Sequence, residues 1–192
     1  MRTSAVVRAL TAGAVALGLS ACSFAPLPHT VDLRAQLDDP AGEVTVDIGA
    51  GAVEDLDLLV PTDTGECFVF DDVAPGLRVH SAQLQWIVDV SYEGPSLTGK
   101  VQARAYAAGV GEDVFDPSHT VGPAVTVDLS KTEKRLAGAA DLSPEQLEAI
   151  NERALCWGAH LRGQDVSAAE DGTATVRYEV ERLRLRITFS VL

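Results

Sequence analysis

The chain has 192 residues, of which 28 are acidic and 15 basic, giving a net charge of −13. An excess of that size makes nucleic acid and anionic lipid headgroups poor partners for the surface taken whole. With 46% of residues hydrophobic and 22% charged, the composition is that of a chain that packs a core, not of a disordered one.

Arg2 and Arg8 give the chain a positive start, and no acid precedes Asp32. The mostly apolar run over 9–19 is too short to span a bilayer, which takes about 20 residues. Its length and charge order suit a cleaved signal peptide. At its end, Leu19, Ser20, Ala21 and Cys22 resemble the lipobox of bacterial lipoproteins, in which a leucine and two small residues precede an obligatory cysteine. The resemblance implies that Cys22 takes a diacylglycerol on its sulfur, that the preceding peptide bond is cut, and that the new amine is acylated. It also implies a lipid-anchored, extracytoplasmic protein on the cell membrane or the outer membrane. The bland alternative is an ordinary secretory signal cut near Ala21, with Cys22 a bystander. On the first reading the chain divides into a signal peptide over 1–21, a lipidated tether over 22–42 and a folded domain over 43–192. Removal of the signal leaves 13 basic residues and all 28 acids, a net charge of −15 over 171 residues, which suits one domain.

With Cys22 acylated, Cys67 and Cys156 remain as one pair in an oxidising compartment. A disulfide between them is expected, the alternative being two buried free thiols. Residues 23–42 carry Pro26, Pro28 and Pro40 and read as the tether, or over 31–37 as a first edge strand. Fully extended in a polyproline-like form, twenty residues reach about 60 Å.

Beyond residue 42, period-two alternation dominates, the mark of half-buried strands. Val44, Val46 and Ile48 share a face, as do Leu56, Leu58 and Val60. The longest case runs over 79–92, with Ala82, Leu84, Trp86, Val88, Val90 and Tyr92 on one side. Gly94, Pro95 and Ser96 then signal a turn, and Val101, Ala103, Ala105 and Ala107 read as the returning strand of a hairpin. Val125, Val127 and Leu129 follow. A single short helix is predicted near 143–152, with Ser143 at the N-cap, Pro144 at the first helical position and Gln146 at the capping-box site. It is expected to close one open end of the sheets, between strands over 135–142 and 155–162. In the last stretch Val176, Tyr178 and Val180 are even, whereas Leu183, Leu185, Ile187 and Phe189 are odd. A period-two pattern changes phase only through an extra residue, so a β-bulge is predicted near Glu181 and Arg182, where the strand can also change sheets. The fold expected is a mainly β, two-layer β-sandwich, immunoglobulin-like or related, with one short α-helix.

For chemistry, Arg182, Arg184 and Arg186 form a basic stripe on an acidic protein, either a docking edge for an acidic protein or envelope polymer or a set of cross-strand ion pairs. The acid clusters Glu54, Asp55 and Asp57, then Asp71 and Asp72, then Glu112, Asp113 and Asp116, fall in predicted loops. None has the spacing of a calcium loop, so calcium is a minor alternative to no cofactor at all. His29, His80, His119 and His160 form no zinc motif, and no other metal site is read. No nucleophile motif or phosphate loop is present in a credible context. Trp86 and Trp157 are expected in the core. The chain therefore reads as a non-catalytic binding or structural module of the cell envelope, held to the membrane through Cys22 and partnered by another envelope protein or polymer. The alternative is a small-ligand or lipid carrier with a cavity between the sheets under the helix.

Overall fold

A computed structural model describes residues 27–53, 56–61, 63–70, 77–131 and 133–191, so Cys22 and its neighbours lie outside the described residues. Two antiparallel sheets pack face to face. The first contains β1 (Leu27–Asp32), β2 (Ala41–Ile48), β6 (Leu77–Glu93), β9 (Glu133–Asp141) and β11 (Gly172–Val191). Both β1 and β2 lie along one side of β11, β1 beside residues 184–189 and β2 beside residues 172–179. β6 fills the other side of β11 and carries β9 at the far edge. In the second sheet, β3 (Gly51–Ala52), β4 (Asp57–Val60) and β5 (Glu66–Val69) line one side of β10 (Ala154–Ala168). β7 (Leu97–Ala108) and β8 (Thr120–Asp128) follow on its other side. This is the two-layer β-sandwich that the alternation predicts.

The alternating side chains meet between the layers. Leu84, Val88, Val180, Leu183 and Leu185 from the first sheet and Phe68, Ala103, Leu155, Trp157 and Ala159 from the second are essentially inaccessible, and Trp86 joins them. α1 (Pro144–Asn151) starts with a complete capping box: the Ser143 hydroxyl accepts from the Gln146 N–H, and the Gln146 side chain accepts from the Ser143 N–H. It touches β6, β7 and β10, closing one end of the sandwich, and its own Ile150 is fully buried.

Three expectations need correction. Residues 27–42 are built into the domain instead of serving as tether: β1 pairs with β11, and a 3-10 turn over Arg34–Gln36 tucks in Leu33 and Leu37. Leu33 N–H donates to the Leu183 carbonyl, and Arg34 Nε donates to the Val180 carbonyl. β7 is not the hairpin partner of β6. The chain crosses between layers at Gly94 to Ser96, where the Tyr92 hydroxyl donates to the Pro95 carbonyl and Gly94 has φ +148°. Alternation reports which face is buried but not which sheet a strand joins, because both inner faces are apolar. Finally, the predicted bulge is present, with Val180 opposite Val88 and Arg182 opposite Ile87, leaving Glu181 extra. There β11 bends but stays in the first sheet along its whole length, held by β6.

Candidate functional site

β11 is an inner strand of its sheet, so Arg182, Arg184 and Arg186 lie not on an edge but across the middle of the outer face. The bulge puts them there. The extra residue at Glu181 sends Val180 and Leu183 inward and both Glu181 and Arg182 outward, after which alternation exposes Arg184 and Arg186. Successive arginine positions are two residues apart along the strand, roughly 6.8 Å of backbone at the antiparallel rise. Their cross-strand neighbours are Ile87, Gln85 and Gln83 on β6, with Asp32 and Thr30 on β1. Arg184 Nε is 3.7 Å from Asp32. Among the described residues Arg182 and Arg186 have no acidic partner within ion-pair distance. Beside Arg182 a dip of about 300 Å³ is lined by Gln85, Ile87, Ala137 and Ala139.

On the other side of the bulge the same face is electrically matched. Arg177 bridges Glu43 on β2 and Glu93 on β6, both at 2.7 Å, and these acids hold its guanidinium still more firmly charged. Arg135 of β9 pairs with the bulged Glu181. Between them, burial raises the pKa of Asp89, with Arg135 opposing. Glu43, Asp89, Arg135 and Arg177 rim a shallow groove of about 980 Å³. One half of the outer face thus neutralises itself, and the other presents a row of cations.

The remaining predicted residues go elsewhere. Cys67 and Cys156 are bonded in a disulfide, facing one another across β5 and β10. Glu112, Asp113 and Asp116 cap their own loop, accepting from the N–H groups of Gly109, Phe115 and Ser118. Asp57 pairs with His160, while Glu54, Asp55, Asp71 and Asp72 lie outside the described residues. Among the described residues no group of three or more His, Cys, Asp or Glu gathers to hold a metal ion. The histidines are dispersed: His29 is exposed on β1 near Phe189, and His119 Nδ1 is bonded to the Asp113 carbonyl. His80, which shares the even numbering of the inward residues Ala82 and Leu84, is the extra residue of a second bulge and points to solvent. Both tryptophans are core residues.

Sequence reading missed Lys134. It sits on the inward parity of β9 with Leu136 and Ala140, and only 6% of its surface is exposed. The signal was available: a lysine in phase with apolar residues on a strand.

No family model and no curated protein matches the chain. Among solved structures, a capsid chain of the Triatoma virus empty capsid is similar at 17% identity and a TM-score of 0.31, covering 74% of this chain and 89% of its own. The chain of the infectious bursal disease virus VP2 subviral particle is similar at 12% identity and a TM-score of 0.33, covering 88% of this chain and 43% of its own. Likenesses this remote carry no argument about role.

Proposed function

We propose that this protein is a lipid-anchored, extracytoplasmic, non-catalytic module that binds an extended anionic polymer of the cell envelope on the outer face of its first sheet. The observation that carries this reading is the Arg182, Arg184 and Arg186 row: evenly spaced, exposed, and largely unneutralised on a chain of net charge −13. Guanidinium groups bind phosphate and carboxylate through paired N–H donors, and a regular row suits a linear polyanion. With Cys22 acylated, five peptide steps lead to Leu27, a span of at most about 18 Å. The domain would then stand close to its membrane, with the row beginning three residues along β11 from the partner of Leu27.

The test uses the full chain with Cys22→Ala on a polyphosphate resin and on anionic vesicles. Retention at low salt, despite the negative net charge, and loss of retention in the Arg182→Ser, Arg184→Ser, Arg186→Ser variant support the reading. Equal behaviour of the two proteins, or adhesion to vesicles alone, overturns the polymer assignment. For the anchor, unmodified protein should fractionate with membranes and the Cys22→Ala protein should not.

A further inference from the structure

The two ends of the sandwich differ. Under α1 the inward residues are sealed, whereas at the far end Val44, Val46, Leu58, Val90, Val127 and Val176 all face inward yet remain half-exposed. Here β2 of one sheet and β4 of the other leave a slot between them, almost wholly apolar in lining. Into it projects Lys134, whose ammonium lies 5.9 Å from the centre of the Tyr92 ring. Among the described residues Lys134 makes no hydrogen bond or ion pair. Asp57 also lines the slot, but His160 engages it, and Asp128 acts on Lys134 only through its field.

Lys134 is only 6% exposed and its ammonium meets no carboxylate among the described residues, only the face of the Tyr92 ring, and an apolar rim left open is unusual at the end of a sandwich otherwise well packed. Both would be relieved by one kind of molecule. We propose that the slot binds a single alkyl chain bearing a carboxylate, with the carboxylate at Lys134 and the chain lying along Val44, Val46 and Leu58. The enclosed space is about 70 Å³, little more than two waters and far below an ordinary ligand pocket. That size excludes ring systems and selects a thin chain, most of which lies in the open part of the slot. This site is separate from the arginine row and stands or falls without it.

The test titrates carboxyl-labelled decanoate into the full chain carrying Cys22→Ala, followed by carbon NMR below the micellar concentration, with decanol as the uncharged control. The expected result is saturable binding of decanoate, at least tenfold weaker binding of decanol, and at least a tenfold loss in Lys134→Met. Val46→Trp, which fills the slot while leaving Lys134 in place, should also abolish binding. Absence of saturable binding, or binding unchanged in Lys134→Met, overturns the proposal. So does self-association of Lys134→Met with decanoate binding intact, which would make Lys134 an inward charge protecting the β9 edge.

Discussion

The indole of Trp86 lies directly across Gly138, its partner in the β6 to β9 register. A β-carbon placed on Gly138 would come within 2.5 Å of the ring. Trp86 is nearly fully buried, with Leu183 on its other flank, so the ring has nowhere to retreat. Gly138→Ala is therefore expected to destabilise by about 1 to 3 kcal/mol, the usual cost of overpacking. At this chain length that lowers the melting temperature by roughly 2 to 4 °C per kcal/mol. Trp86→Leu is costly alone but should cost less in the Gly138→Ala background. A double-mutant cycle by thermal denaturation would show this coupling, and simple additivity would contradict the contact.

Gln146 does three jobs from one buried amide. Its oxygen accepts from the Ser143 N–H, and its Nε2 donates to the Ala107 carbonyl at 2.8 Å and the His119 carbonyl at 3.1 Å. The helix start, the end of β7 and the start of β8 are thus tied at one point. Gln146→Met keeps the volume but leaves these backbone groups without partners, for an expected loss of about 2 to 4 kcal/mol. Amide hydrogen exchange should speed first at Ser143, while the β6 to β11 ladder stays protected at the far end. Uniform loss of protection would show that this corner is not a separable unit.

The helix and its cap, the long strand and the bulge at Glu181 were legible because each rests on local spacing, and the disulfide because setting Cys22 aside for acylation leaves only Cys67 and Cys156 to pair. Ser143, Pro144 and Gln146 specify a capping box within four residues, and the phase change between Val180 and Leu183 requires an extra residue wherever the strand lies. Pairing was not legible, because Val101 to Ala107 has the same inward pattern whether it returns to β6 or crosses to β10. The tether was misread because its prolines hid Leu33 and Leu37, two leucines that bury through a single 3-10 turn. The bulge at His80 was not legible, because it is marked only by Val79, one apolar residue out of phase. The arginine row was visible as a stripe, but its place in mid-sheet follows from β1 and β2 both pairing with β11, which no local pattern encodes.

Lys134 makes a prediction about pH. Burial lowers its pKa from the ordinary lysine value, with Asp128 opposing. Tyr92 from β6, itself raised by burial, and Asp57 from β4 line the same slot. At neutral pH the folded protein carries a poorly solvated cation, so Lys134→Met should be more stable by about 1 to 3 kcal/mol. Below the folded-state pKa both states are protonated and the gap is constant. Between that value and the unfolded one, near 10.4, the unfolded chain binds more protons and the native protein gains stability as pH rises. Denaturant titrations from pH 7 to 10 should therefore show the gap between variant and native protein shrinking. A gap that widens with pH would mean the ammonium is stabilised where it lies.

Cys67 and Cys156 join strands that would pair without them. On either side Phe68 faces Leu155 and Glu66 faces Trp157 in the same ladder, and Phe68, Leu155 and Trp157 are almost wholly buried. The register of β5 on β10 is thus set by packing, and the bond adds a constraint on the unfolded chain. Closing a span of 89 residues is worth up to about 4.6 kcal/mol by chain entropy. The Cys67→Ala, Cys156→Ala protein should fold with the same strand pairing and lose up to that amount. In the Cys22→Ala chain, denatured without reductant, the thiol count should be zero. A count of two would reject the bond, and a double alanine variant that cannot fold would show that packing alone does not hold β5 in place.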